Sequence, residues 1–189
     1  KPVFGADLQV ADTLNAEDCH TICLLVMNDV GYRNLTRLIS RAYREGRALE
    51  GPRVLRSWLE GNVDGLLALS GASRGDVGQA LIYDRPELAA ERLAFWTALF
   101  PGRYYLELQR TGREGDEEQV VAAVALATRE GLPVVATNDV RFIDASEFEA
   151  HEARVCIAEH RVLDDPRRPR RYSDQQYLRS PAEMAELFA

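Results

Sequence analysis

The sequence predicts an α/β fold built on a mainly parallel sheet. Two observations carry that prediction. Short apolar runs bounded by Gly, Pro, Asn or Asp recur along the chain and read as buried strands; the clearest is Val134–Thr137, set between Gly131/Pro133 and Asn138/Asp139. Between such runs lie segments whose apolar residues repeat with the helical period, so that strands and helices alternate at least three times. About five strands are legible, and a closed eight-fold barrel needs more chain than this. The sheet is therefore expected to be open, or to be part of a barrel whose first units are missing.

In chain order, residues 1–10 (KPVFGADLQV) alternate and break at Gly5, which suggests a strand carrying Asp7 near a bend. Residues 21–27 (TICLLVM) form a continuous apolar run, hence a buried strand. Asn28 and Asp29 turn the chain into a helix to about Arg47, with Leu35, Leu38, Ile39 and Ala42 as its inner stripe. Trp58 and Leu59 are expected to pack within an irregular segment. Residues 65–70 (GLLALS) read as a strand ended by Gly71, followed by a short helix over 76–83. Asp84 starts the next helix with Pro86 in its first turn, and Ala89, Leu93, Trp96 and Phe100 form its buried stripe. Pro101 and Gly102 stop that helix before a strand at 104–108.

A polar loop over 111–115 leads to a helix from Asp116, with Val120, Val121, Val124 and Ala127 expected on its inner face. That helix runs into the strand at Val134. In α/β folds the carboxyl ends of strands face the ligand crevice, so Asn138 and Asp139 are site candidates; the alternative is that they only cap and turn the chain. Asp144 with Glu147, Ser173 with Gln176, and Ser180 with Glu183 have capping-box spacing for three further helices. Phe148, His151 and Val155 form the inner stripe of the first of these. Residues 164–171 (DDPRRPRR) make a charged loop and, with Tyr172, the one basic patch.

A chain of 189 residues is most simply one domain, residues 1–189. With 46% apolar and 28% charged residues it has the composition of an ordinary globular protein. The net charge of −7 argues against an independent nucleic-acid-binding domain, although a local basic patch is compatible with it. No apolar run reaches the length of a membrane span. Cys19, Cys23 and Cys156 show no CxxC pairing, which fits a reducing cytoplasm and argues against disulfide or zinc scaffolds. The chain opens on Lys1 and ends at Ala189 within an expected helix, which reads as a piece of a longer protein.

The blocks KPVFGAD, GYRNLTRLIS, GLLALSG, GDVG, LPVVATNDVRF and DDPRRPRRYSDQQYLRS resemble, in the same order, the N-terminal PHP (polymerase and histidinol phosphatase) domain of bacterial DNA polymerase III alpha subunits. The resemblance covers essentially the whole chain. It implies a distorted (β/α)7 barrel, here partial because the first strands, including a His-x-His segment, would precede Lys1. It implies a parent enzyme, a DNA-directed DNA polymerase and nucleotidyltransferase of DNA replication. The parent's magnesium-binding palm would lie beyond Ala189.

PHP phosphoesterases gather His and carboxylate ligands at strand ends, where zinc or manganese lowers the pKa of bound water and clamps phosphate oxygens. By resemblance, Asp7 and Asp139 fall at ligand positions. Asp139 is the Asp of an Asp-x-His motif whose His position is Arg141 here. A guanidinium has five donors and no usable lone pair, so Arg141 cannot ligate a cation; it could ion-pair with Asp139 instead, the alternative being that it is solvated and unrelated to Asp139. Thr21 stands where metal-competent members carry His. His20 is offset by one residue, which in a strand points to the opposite face unless a bulge intervenes. Ser70 and Gly71 replace another imidazole position. His151 is expected as a hydrogen-bonded core histidine and His160 as a solvated one.

The resemblance thus implies a metal site reduced to Asp7 and Asp139 and blocked by Arg141, with no catalytic residue and no bound cofactor expected. The implied role is structural: support of the rest of the alpha chain and docking of the proofreading exonuclease subunit, without direct DNA binding and without a membrane. A metal-dependent phosphoesterase or 3′-5′ exonuclease is the alternative, to be decided by the His-x-His segment. A generic α/β small-molecule binder explains neither the order of the blocks nor the chain ends. An exposed barrel edge is expected to favour self-association.

Overall fold

The computed structural model describes residues 2–16, 18–48 and 51–189. Its centre is a six-stranded sheet made by β1 (Gly5–Ala11), β2 (His20–Val26), β5 (Val54–Leu55), β6 (Leu66–Leu69), β7 (Tyr104–Gln109) and β8 (Val134–Thr137). The spatial order is β5-β1-β2-β6-β7-β8. Among the described residues, two further strands, β3 (Arg47–Ala48) and β4 (Gly51–Pro52), pair only with each other. Helices α1 (Asp29–Glu45), α2 (Arg56–Leu59), α3 (Asp76–Ile82), α4 (Pro86–Leu99), α5 (Asp116–Glu130), α6 (Phe148–Ala158) and α7 (Pro181–Leu187) fill the intervals. None is long and apolar enough to cross a membrane.

Five strands run one way and β2 runs against them, antiparallel to both β1 and β6. Among the described residues, the short connection between β1 and β2 carries no crossover helix, and a parallel pair needs a crossover. The mostly parallel sheet and its helices are consistent with a PHP-type barrel-like fold. Among the described residues the barrel is not closed, since β5 and β8 stand at opposite edges.

Strand register sorts the side chains. Leu8 faces Ile22, Leu24 faces Ala68, and Leu106 follows Tyr104 on β7, so these residues share one face. That face packs on α1, α4 and α5 in a core that includes Leu35, Leu38, Leu93, Trp96 and Leu126. The opposite face is polar. Asp7 lies opposite Cys23 and Gln9 opposite Thr21, and on the far side Gln109 lies opposite Thr137. Glu107, two residues before Gln109, points the same way.

Several expectations need correction. The expected strand start at Lys1 lies outside the described residues; Gly5 opens β1, and Asp7 sits within the strand rather than near a bend. Trp58 and Leu59 belong to the short helix α2. Val121 and Val124 point outward, 66% and 41% exposed, because α5 rolls Gln119, Val120, Ala123, Leu126 and Ala127 onto the sheet. Strand β8 is an edge strand, with Val134 43% exposed, because nothing described pairs with its outer side. Ser173 and Gln176 start no helix: Gln176 Oε1 accepts from Ser173 N, but the rest of the Gln176 side chain is drawn inward and is fully buried. The other two capping boxes are present, at Asp144/Glu147 and Ser180/Glu183.

Candidate functional site

The polar face ends at one carboxylate. Asp139 follows β8 with φ 41°, a left-handed conformation that Asp tolerates at a cost of about 1 kcal/mol. Its side chain is only 6% exposed, yet three guanidiniums reach it. Arg141 Nη2 lies 2.7 Å from Oδ1, Arg74 Nη2 3.1 Å from Oδ1, and Arg113 Nη1 3.2 Å from Oδ2. Gln176 Nε2 donates to Oδ2 at 2.9 Å and to the Asp139 carbonyl at 3.1 Å. The backbone N–H of Arg141 donates back to the Gln176 carbonyl at 2.8 Å.

Each partner comes from a different part of the chain. Arg74 ends the 3-10 turn Ala72–Arg74 after β6, and its Nη2 also lies 3.5 Å from Asp7 Oδ2 on β1. Arg113 stands in the loop after β7. Its orientation is set by Nε donating to Thr111 Oγ1 at 2.8 Å and Nη2 donating to Gln109 Oε1 at 3.1 Å. Gln176 lies in the C-terminal segment, which Asn138 grips by donating to the carbonyls of Gln175 and Tyr177, both at 2.8 Å. The two residues at the strand end therefore divide their work: Asn138 holds chain, and Asp139 gathers charge.

Behind this cluster lies a buried hydrogen-bond chain. Glu107 accepts from Gly71 N at 3.0 Å, from Gln109 Nε2 at 3.1 Å and from the Thr137 hydroxyl. Its own N–H donates to Ser70 Oγ at 2.9 Å. Gly71 is required there: its φ is 78°, and a Cβ would stand 2.2 Å from the Thr21 carbonyl oxygen. Burial holds the Glu107 carboxyl above the usual range; the bonds from Thr137 and Gln109 oppose the shift, and the Asp7 charge adds to it.

An acid whose pKa is raised on folding holds its proton more tightly in the native state, so Glu107 contributes stability that is present at low pH. That contribution is lost as pH rises from the ordinary glutamate value through the folded one. Glu107→Gln is accordingly expected to flatten the pH dependence of the urea midpoint over that window. An unchanged pH profile would contradict the shift.

A metal fits this donor set poorly. Among the described residues, no group of three or more His, Cys, Asp or Glu side chains could hold an ion. Asp7 and Asp139 are tied together through Arg74 rather than facing an open space between them. The third nearby donor is Cys23, whose thiol is pushed up to about 12, chiefly by burial and then by the charges of Asp7 and Glu107. Thr21 is buried and accepts from Gln9 Nε2 at 3.0 Å. His20 pairs with Val10 in an unbroken register, so no bulge turns it toward the polar face.

The remaining candidates lie apart. His151 is buried, as expected, but its Nδ1 has no hydrogen-bond partner, which corrects the expectation of a bonded imidazole; its contacts are aromatic, to Tyr172 at 4.7 Å and Phe142 at 5.5 Å. His160 is exposed. The basic patch is largely neutralised: Arg168 pairs with buried Glu152, Arg167 with Asp165 at 3.2 Å, and Arg171 with Glu159 at 3.3 Å.

Sequence reasoning missed Arg74, Arg113, Glu107 and Gln109. The last two carried a signal: two polar residues at i and i+2 in an otherwise apolar strand must share a face, and Asp7 and Gln9 repeat the pattern. Arg74 and Arg113 carried none, because each sits in a loop whose path only the fold determines.

The chain is similar to known proteins over its whole length. A family model described as "PHP domain" matches residues 1–111. Over all 189 residues the chain is 53% identical to a DNA polymerase III subunit alpha of Pseudomonas aeruginosa. It is 52% identical to that of Escherichia coli and 44% to that of Vibrio cholerae. In each case the whole chain is aligned, and it spans 16% of the relative's length.

Proposed function

This chain belongs to the family of PHP domains, and from that premise we propose that it serves a DNA polymerase III alpha subunit as a scaffold without phosphoesterase chemistry of its own. The observation that carries this reading is the enclosure of Asp139 by Arg74, Arg113 and Arg141. In metal-dependent members the resemblance assigns such a carboxylate to zinc or manganese. Here three fixed positive charges stand around it, and a cation brought to the same place would be repelled. On this reading Asp7 and Asp139 are relics of the ligand set, Arg141 blocks the site, and no cofactor is held by this part of the protein.

The arginine cluster would take over the metal's other task, tying strand ends together. It links the segments after β6, β7 and β8 to the C-terminal segment through one buried carboxylate. A rigid face of this kind suits a domain that supports the remainder of the alpha chain in the cytoplasm and docks the proofreading exonuclease subunit. Direct DNA contact is not part of the proposal, since the net charge is −7 and the arginines at 167, 168 and 171 are paired internally. The unpaired outer side of β8 supports a tendency to self-associate in the isolated chain.

Sedimentation velocity of the chain with and without the exonuclease subunit tests both contacts. The expected result is a heterologous complex that forms at the expense of a concentration-dependent dimer. Independent sedimentation of the two proteins over the micromolar range would refute the docking role.

A further inference from the structure

A cleft of about 300 Å3 opens between the segment after Asp139 and α6, walled by Arg141, Phe142, Ile143, Glu147, His151 and Arg154. Two of its walls carry buried polar atoms without hydrogen-bond partners, Arg141 Nε and His151 Nδ1. The latter belongs to a side chain that is more than nine-tenths buried, since His151 is 7% exposed. Arg154 makes no ion pair among the described residues. The acids nearby are otherwise engaged: Glu147 Oε2 accepts from the backbone of Ile143 at 2.9 Å and Asp144 at 3.0 Å, and Glu152 pairs with Arg168. A buried donor left unpaired costs about 1–3 kcal/mol, so Arg141 Nε beside the unpaired Arg154 guanidinium calls for an acceptor.

We propose that this cleft is an oxyanion site, in which Arg141, Arg154 and the His151 ring hold one phosphate or carboxylate group. Two guanidiniums and an imidazole N–H supply charge-assisted donors of the kind that bind such groups. Phe142 and Ile143, the latter 72% exposed, give the carbon skeleton behind the anion an apolar lip. The site shares Arg141 with the cluster at Asp139, but His151 and Arg154 take no part in that cluster, so a change at Arg154 tests the site apart from the scaffold reading.

The imidazole reports occupancy. Burial holds His151 below the ordinary histidine range; Arg154 and Arg141 add to this, Glu152 opposes it, and the Tyr172 ring packs against it. An anion between the two guanidiniums would reverse part of that shift and raise the pH at which His151 ionises.

The test is a nuclear magnetic resonance titration of labelled chain with inorganic phosphate, with acetate, and with chloride as an ionic-strength control. Saturable shifts confined to residues 141–154, with His151 ionising at higher pH, are expected for phosphate, for acetate, or for both. Preference for phosphate identifies a phosphate group as the ligand, preference for acetate a carboxylate, and equal response a site that takes either oxyanion. Arg154→Gln, an exposed change that leaves the fold intact, should weaken binding about fivefold, the equivalent of ~1 kcal/mol. Absence of saturation with either anion, an equal response to chloride, or undiminished binding in Arg154→Gln overturns the proposal.

Discussion

Replacing Asp139 by Ala is expected to lower the stability of the chain by about 3 kcal/mol, a fall of about 6–12 °C in Tm. The cost is not the loss of one hydrogen bond. Three guanidiniums would remain around an empty position, mutually repulsive and stripped of their shared counter-charge. Removing one partner of a fully buried ion pair costs about 3–5 kcal/mol; the lower end applies because the three arginine side chains are 20–36% exposed and water can reach part of each. Asp139→Asn should cost less, since an amide oxygen still accepts from Gln176 and Asn also tolerates the positive φ. Urea denaturation of both variants measures this. A loss below about 0.5 kcal/mol for Asp139→Ala would reduce the cluster to an ordinary surface ion pair.

Asp76→Ala is the second large effect, expected at about 3–4 kcal/mol. Asp76 opens α3, is 5% exposed, and accepts four hydrogen bonds from three donors on three elements. Trp96 Nε1 reaches its two oxygens at 2.8 and 3.0 Å, Arg56 Nη2 donates at 3.0 Å, and Val77 N donates at 2.8 Å. Without the carboxylate, the indole N–H and the guanidinium are left in the core. Arg56 keeps only Asp12 at 2.8 Å and its stacking on Phe95 and Trp96. Trp96 emission gives a second readout, because the ring is stacked with Tyr104 at 6.2 Å and should shift when its polar anchor is cut. An unaltered emission spectrum and an unchanged urea midpoint would contradict the anchoring role.

Much of the fold was legible because burial imposes periods. The stripe of Ala89, Leu93, Trp96 and Phe100 is buried as read, and α1 begins at the Asn28 cap, whose Oδ1 accepts from Val30 and Gly31. The same reading failed on α5, where Val120, Val121 and Val124 are all apolar and only packing against β7 decides which of them turn inward. It failed on β8 because a short valine run looks the same in the middle of a sheet and at its edge. Capping-box spacing found Gln176 but misread it, since the residue completes a tertiary contact rather than a helix.

The site was half legible. Asp7, Asp139 and Arg141 could be singled out by their positions within motif blocks, and Arg141 does lie against Asp139. The two arginines that complete the enclosure could not be found, because their reach depends on where the loops after β6 and β7 cross the sheet. Glu107 and Gln109 were visible as a polar pair in an apolar strand and were passed over.

Metal content is the measurement that bears most directly on the central claim. The chain, and a version extended through the strands that the family resemblance places upstream of Lys1, would be incubated with zinc and with manganese, desalted, and analysed by mass spectrometry. An arginine-enclosed Asp139 predicts no stoichiometric metal in either protein and no gain in thermal stability from either ion. Stoichiometric metal that is lost in Asp139→Asn would contradict the account and would make phosphoesterase activity the next thing to assay.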